Sequence, residues 1–363
     1  MTLMKIASIV GARPQFIKIA PLCREFKRHK FIKHLIIHTD QHYDYNMSKV
    51  FFDSLEIPQP DYHLEVGSGT HGYQTGEMIK RVEKVLIKER PEWTVVYGDT
   101  NSTLAGAVAA VKLKIPVAHV EAGLRSFNKG MPEEINRLLT DHISDVLFCP
   151  TETAMRNLKQ EGINQGIHVV GDVMYDSLLY NLQLAERHSL ILEKLQLDPK
   201  NYALVTVHRA ENTDNPDRLR AIFNALRKIT QEGIPVIIPL HPRTRKQLEL
   251  LKVPVDRLQI IEPLQYLDML LLQKQAKIVL TDSGGIQKEV FFLQVPCITL
   301  RRETEWVETV ETGWNILADI DEKKIVLYAR DFPDPSHNVG QEAFGNGRAA
   351  EKISAVFYQS MNN

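Results

Sequence analysis

The sequence predicts an α/β protein made of two Rossmann-like, doubly wound halves, and three observations carry the prediction. Short apolar runs alternate with longer helical stretches from Lys5 to Gln359, the spacing of parallel strands joined by crossover helices. Glycine and polar residues gather where the runs end, as in Gly11-Ala12-Arg13-Pro14, Thr39-Asp40-Gln41-His42, Gly98-Asp99, His208-Arg209 and Asp282-Ser283-Gly284-Gly285. A chain of 363 residues also exceeds what one ordinary core organises, so two domains are the default.

Taken in order, Lys5–Val10 reads as a strand and Gln15–Arg28 as a helix, with Pro14 in the first turn, where its missing N–H costs nothing. Lys33–His38 is a strand, Asn46–Leu55 an amphipathic helix, and 67–72 a glycine-rich turn before a helix over Glu77–Lys88. Thr94–Tyr97, Ser102–Lys112 and Pro116–Val120 form a βαβ unit. A loop opening with Met131-Pro132 carries Glu133 and Glu134. Strand Ser144–Cys149, helix Thr151–Glu161 and strand Ile167–Val170 complete a first domain over residues 1–171.

The helix Tyr175–Glu186 and the polar run to Asn201 read as a hinge. A second domain, 172–345, repeats the alternation: strands at Tyr202–Val207, Val236–Leu240, Leu258–Ile261, Lys277–Leu280 and Cys297–Leu300, and helices at Asp217–Gln231, Tyr266–Gln275 and Gly285–Phe292. A last helix, Gly347–Gln359 within 346–363, is expected to return and brace the first domain.

Composition excludes several classes. Charged residues make up 25% and the net charge is -1, so no global field draws in nucleic acid or anionic lipid. The first apolar run stops at Gly11, short of a secretory signal, and none approaches the length needed to span a bilayer. Cys23, Cys149 and Cys297 are odd in number and set in apolar surroundings, which suits buried thiols in a reducing compartment. A cytoplasmic enzyme fits. No Cys/His group has zinc spacing and no Gly-x-Ser-x-Gly elbow occurs; Asp99, Glu121 and Glu133 could in principle hold magnesium, but with Arg13, Lys18, His208 and Arg125 available for phosphate no metal is expected.

Chemistry concentrates at the strand ends. Asp99, Glu121 and Glu133 come from three successive loops at one sheet edge, where open α/β sheets bind ligands. An acid after a strand also reads as a helix cap, but Glu121 is followed by Ala-Gly rather than by a helix. Arg13 and Lys18 surround a helix N-terminus that already favours anions, and Arg125 adds a third cation. In the second domain Ser283, Gly284 and Gly285 can form a concave anion nest for a diphosphate, with Glu289 one turn on to accept from ribose hydroxyls. His208 and Arg209 can reach diphosphate oxygens, and the histidine can also carry a proton. Bare helix caps and solvated surface charges are the plain alternatives.

GARPQFIKIAP, YGDTNSTLAG, HVEAGLRS, MPEEINR, HRAENTD and TDSGGIQKE together resemble the non-hydrolysing UDP-N-acetylglucosamine 2-epimerases, from Lys5 to about Gly313. The resemblance implies two Rossmann-like domains facing a deep cleft, as in two-domain nucleotide-sugar glycosyltransferases. It further implies interconversion of epimers at sugar carbon 2 for surface polysaccharide synthesis, a homodimer, and no metal or nicotinamide. It assigns Asp99, Glu121, Glu133 and His208 to catalysis, Arg13 and Lys18 to binding, Ser283, Gly284 and Gly285 to the diphosphate, and Glu289 to the ribose. Gln41 and His42 match the region where bacterial members bind an activating second UDP-sugar, although the 67–72 loop lacks the accompanying basic residue. Met269 stands where an aromatic often lies near uracil, and Trp306 replaces a substrate-side Arg of members acting on the plain sugar. GARPQFIK, RAENTD and TEWVET are closer to the branch acting on UDP-2,3-diacetamido-2,3-dideoxy-glucuronate, whose sugar carboxylate Arg301, Arg302 or Arg243 could meet. A retaining glycosyltransferase and a hydrolysing epimerase are the rival readings.

Overall fold

The computed structural model describes residues 3–40, 56–335 and 343–361. Gln41, His42 and the helix expected over 46–55 lie outside them. The chain divides into two compact units, residues 1–177 with 342–363 and residues 178–341. The division falls a few residues after the expected boundary, inside the helix Val173–His188.

Among the described residues the first unit holds seven parallel strands: β1 (Met4–Val10), β2 (Ile32–His38), β3 (Tyr62–His63), β4 (Trp93–Tyr97), β5 (Val117–Val120), β6 (Val146–Cys149) and β7 (Ile167–Val169). Their order is β3-β2-β1-β4-β5-β6-β7. The central strands read as unbroken apolar runs because helices cover both faces, and Ile6, Ile9, Val95, Val96, Tyr97 and Val120 are buried. The C-terminal helix, Ala349–Ser360, belongs to this unit. Its Phe357 ring packs against Phe26, Trp93 and Phe148 at centroid distances of 6.0, 5.5 and 5.9 Å. Burying such a side chain stabilises by about 1.5–3 kcal/mol, a substantial anchor for a helix of twelve residues.

The second unit has six parallel strands among the described residues: β8 (Ala203–Thr206), β9 (Val236–Pro239), β10 (Gln259–Ile261), β11 (Ile278–Thr281), β12 (Cys297–Thr299) and β13 (Asn315–Leu317). The order is β10-β9-β8-β11-β12-β13, with its own core around Phe223, Leu226, Ile238 and Leu280.

Several elements differ from the sequence reading. Glu133 and Glu134 are not in a loop: Pro132 occupies the first helical turn of Pro132–Ile143, the position that tolerates a missing N–H. A helix not read from the sequence, Pro242–Leu250, follows β9, with the His241 side chain accepting from the Arg243 N–H. Strands β3 and β13 are too short to show a period in the sequence.

Candidate active site

In the first unit the strand order reverses between β1 and β4, so a ligand crevice is expected outside their carboxyl ends. Lys18, Gly98, Asp99 and Glu121 meet there. The Lys18 ammonium donates to Glu121 Oε2, and both side chains are buried. Lys18, read as one of two cations at a phosphate or sugar site, thus has an internal carboxylate as partner. Glu121 reaches the lysine because its backbone is left-handed, at φ 75°, a conformation costly for a non-glycine residue. Gly98 makes room for the pair. At φ 64° it could carry a side chain only with strain, and a Cβ would lie 2.7 Å from Lys18 Nζ and 3.1 Å from Glu121 Oε2.

Asp99 has a cation of its own. Arg137 Nη2 donates to Asp99 Oδ2 at 2.6 Å and Nη1 to Glu134 Oε2 at 2.5 Å. Burial lowers the Arg137 guanidinium, but the charges of Asp99, Glu134 and Glu121 outweigh it and raise the group above its ordinary value. Asn136 donates to the Asp99 carbonyl at 2.9 Å. Glu134, almost wholly buried, accepts from the Ser126 N–H, the Ser126 hydroxyl and the Phe127 N–H, each at 2.9 Å. It fixes the loop that leaves β5. Glu133, the neighbour expected to be catalytic, is exposed in the first helical turn.

Behind this edge, Gln15 accepts from the Gly11 and Ala12 N–H groups and donates to the Tyr97 carbonyl and Thr103. It locks the turn after β1 to the end of β4. Arg13 opens the helix Arg13–Arg28 just beyond that turn. Arg125 also has internal partners. Its side chain is fully buried, donating to Asp141 Oδ2 at 2.7 Å and to both Glu161 oxygens at 2.7 Å, so it braces the fold rather than receiving phosphate.

In the second unit the order reverses between β8 and β11, and Asp282 organises that point. Its buried carboxylate accepts from the His208 and Arg209 N–H groups at 3.1 Å and from Asn212 Nδ2 at 3.0 Å. His208 Nδ1 lies 3.2 Å away, its side chain about half exposed. Ser283 caps the helix Gly284–Phe292, and the N–H groups of Gly284 and Gly285 fall in the first turn, which lacks intrahelical acceptors. A Cβ at Gly284 would lie 1.9 Å from Glu305 Oε1. Arg301 holds that carboxylate at 2.9 Å and Arg209 approaches it at 3.8 Å. Burial raises the Glu305 carboxyl, but the charge and hydrogen bond of Arg301, a backbone hydrogen bond and the Arg209 charge together keep the group below the usual carboxylate range. Arg301, expected to meet a sugar acid, thus has an internal carboxylate as partner. Burial pushes Glu289 up, only partly opposed by the hydrogen bond from Gln273, whose Nε2 stands 2.8 Å from Oε2. Met269 is half-buried on the helix Tyr266–Gln275. Trp306 is buried, with Lys288 Nζ 4.2 Å above its ring.

Sequence reasoning missed Arg137, His119, Asp141 and Glu305. Arg137 was visible as the i+4 partner of Glu133, and His119 as the residue sharing a strand face with Glu121. Nothing in the sequence marked Asp141 or Glu305.

A nest at a strand-order reversal in one unit and paired acids at the reversal in the other define a nucleotide-sugar enzyme of Rossmann-like type. A profile of the family described as UDP-N-acetylglucosamine 2-epimerase matches residues 24–357, and the chain belongs to that family of isomerases. It is 55% identical over 97% of its length to a UDP-N-acetylglucosamine 2-epimerase homolog of Methanococcus maripaludis, covering 99% of that protein. It is 48% identical, over 97% of this chain and 98% of the other, to the UDP-2,3-diacetamido-2,3-dideoxy-D-glucuronate 2-epimerase of Pseudomonas aeruginosa. The crystal structure of Methanocaldococcus jannaschii UDP-GlcNAc 2-epimerase in complex with UDP-GlcNAc and UDP is similar at a TM-score of 0.85 and 47% identity, over 98% of this chain and 100% of that one. No helix among the described residues is long and apolar enough to cross a membrane.

Proposed function

We propose that the protein is a non-hydrolysing 2-epimerase of a UDP-2-acetamido sugar, either UDP-GlcNAc or the diacetamido-glucuronate. The observation that carries this reading is the convergence of Asp99 and Glu121 on Gly98, each with its own cation. The hydrogen on carbon 2 is not next to a carbonyl, so its removal needs help from cleavage at carbon 1. As the anomeric C–O bond breaks, its electron pair leaves with UDP. The oxocarbenium character left behind acidifies the carbon 2 hydrogen, a carboxylate takes it, and a 2-acetamidoglycal forms. Protonation on the opposite face and return of UDP give the epimer. Asp99 and Glu121 are the proton-transfer pair, assisted by Glu133. The Ser283–Gly285 turn, His208, Arg209 and Arg13 stabilise the departing diphosphate, Glu289 holds the ribose, and Met269 lies near the base. Lys18 and Arg137 keep the two carboxylates oriented.

Deuterium incorporation at carbon 2 from D₂O, with a UDP-sugar and no acceptor, tests the reaction. A retaining glycosyltransferase would show no exchange without acceptor, and a hydrolysing enzyme would release free sugar and UDP. Supplying both UDP-sugars to the same preparation decides between the two substrates. Asp99→Asn and Glu121→Gln are each expected to abolish exchange while UDP still binds; near-normal turnover in either would remove that residue from the mechanism.

The reading extends to a homodimer. Phe127, Met131, Ile135 and Leu139 are exposed at 76, 38, 45 and 48%, and the last three share one face of the helix Pro132–Ile143 at four-residue spacing. Sedimentation should show a dimer, and Ile135→Glu with Leu139→Glu should yield monomer. Cys23, Cys149 and Cys297 are free and buried, which supports a cytoplasmic setting.

A further inference from the structure

We propose that His119 is a positioning residue for this reaction, a buried imidazolium whose two ring N–H groups grip the Gly98 carbonyl and Asp141 together and so fix the peptide that presents Asp99. The inference deepens the proposed function, and only its kinetic arm rests on that reading.

The His119 side chain has no exposed surface. Its Nε2 lies 2.7 Å from the Gly98 carbonyl oxygen and its Nδ1 lies 2.7 Å from Asp141 Oδ1. A carbonyl only accepts, so Nε2 must carry a hydrogen. A neutral imidazole has one N–H, and Asp141 would then have to donate to Nδ1. The surroundings of Asp141 argue against that. Its other oxygen already accepts from the Gly123 N–H at 3.1 Å and from Arg125 at 2.7 Å. Burial raises its carboxyl, and the charge and hydrogen bond of Arg125 oppose this independently of His119. An ionised carboxylate accepts only, so Nδ1 carries a hydrogen as well. The buried chain Glu161, Arg125, Asp141, His119 then alternates in sign, and removing the histidine proton would leave it with excess negative charge.

What the histidine holds matters for chemistry. Gly98 is in the left-handed region and has no side chain to restrict it, so its peptide orientation must be set from outside. The Gly98 carbonyl shares a peptide plane with the Asp99 N–H. His119 lies on β5, two residues before Glu121, which follows the strand's end, so one ring ties both acid-bearing strand ends together. The groups around it are Asp141 with Arg125 and Glu161 behind, Cys149 on β6, and, beyond Gly98, Lys18 with Glu121 and Asp99 with Arg137. Burial pushes the Cys149 thiol up to about 12, so it remains uncharged and does not compete. Loss of the imidazolium proton would set a ring lone pair against the Gly98 oxygen or Asp141 and release the peptide.

The test uses the full chain with ¹⁵N-labelled histidine, the His119 ring signals being assigned by their absence in His119→Gln. Both ring nitrogens should stay protonated at neutral pH, where exposed histidines are neutral; one bare nitrogen at neutral pH overturns the proposal. In the deuterium-exchange assay, His119→Gln should lose roughly 10- to 100-fold in kcat with UDP affinity unchanged, the scale of a small misplacement of a catalytic group. The parent is expected to show an alkaline decline in kcat that this variant lacks. Parent-like kcat and pH profile in His119→Gln would overturn the idea. Should that variant not fold, Asp141→Asn serves instead: a bare ring nitrogen should appear at lower pH than in the parent, and an unchanged ring titration counts against the proposal. A parent protein that exchanges no deuterium would refute the epimerase reading, while the ring-nitrogen result would still decide the state of His119.

Discussion

Arg125 and Lys18 carry the same charge in the same unit as the candidate acids, and what each does is set by which acids lie within reach. Both looked like phosphate ligands because the sequence shows a cation beside a glycine turn and nothing of its depth. Arg125 is enclosed by Asp141 and Glu161, residues from different parts of the chain, and Lys18 by Glu121, which is 103 positions away. Such partners are invisible to local pattern, and so is the left-handed backbone that turns Glu121 toward the lysine. Asp99, Ser283 and Gly284 were legible because a strand's carboxyl end can be read from where its apolar run stops. The two roles for Arg125 separate by experiment. Arg125→Met leaves a wholly buried Asp141 carboxylate short of a cation, so unfolding by urea should show a loss of about 3–5 kcal/mol. Calorimetric titration should find UDP affinity unaltered; a weakened UDP affinity with full stability would restore the phosphate role.

At the scale of elements, most strands and crossover helices were legible to within a few residues, because buried parallel strands are short apolar runs with sharp polar ends. The helix Pro132–Ile143 was missed because Met131-Pro132 reads equally as a turn, and only the Glu134 contacts to Ser126 and Phe127 show where the chain goes. The C-terminal helix offers an element-level test. Asp176 accepts from the Ala349 and Ala350 N–H groups at 3.0 and 2.8 Å, tying the helix start to the first unit. Burial pushes this carboxyl up from 3.8 to about 6, against the pull of those two N–H groups. The folded state therefore holds the proton more tightly than the unfolded chain does. This contribution to stability is complete below about pH 4, is lost as pH rises to about 6, and amounts to at most about 3 kcal/mol. Asp176→Asn cannot titrate. The stability of the parent relative to this variant, from urea unfolding, should be greater at pH 5 than at pH 7.5. A difference independent of pH would mean that the carboxyl keeps its ordinary affinity for a proton.

For the whole molecule, the consequential feature is that two sheets of similar strand order each have a core of their own while their strand ends carry different chemistry. Acids and their cations belong to the first unit, and the Ser283–Gly285 turn proposed for the diphosphate, with His208, Arg209 and Glu289, to the second. A chain with two cores is not expected to unfold in one step, and a ligand stabilises the unit whose folded state it binds. UDP lacks the sugar on which the acids are proposed to act, so its contacts should fall chiefly on the second unit. At a hundredfold excess over its dissociation constant it should add about 2.7 kcal/mol there. Scanning calorimetry should resolve two transitions and show UDP raising one of them. Asp282→Asn, which weakens the carboxylate gathering the His208 and Arg209 N–H groups, should erase that rise, and Asp99→Asn should leave it intact. If UDP instead lifted both transitions equally, and Asp99→Asn reduced the effect, the division of labour between nucleotide and proton chemistry would be wrong.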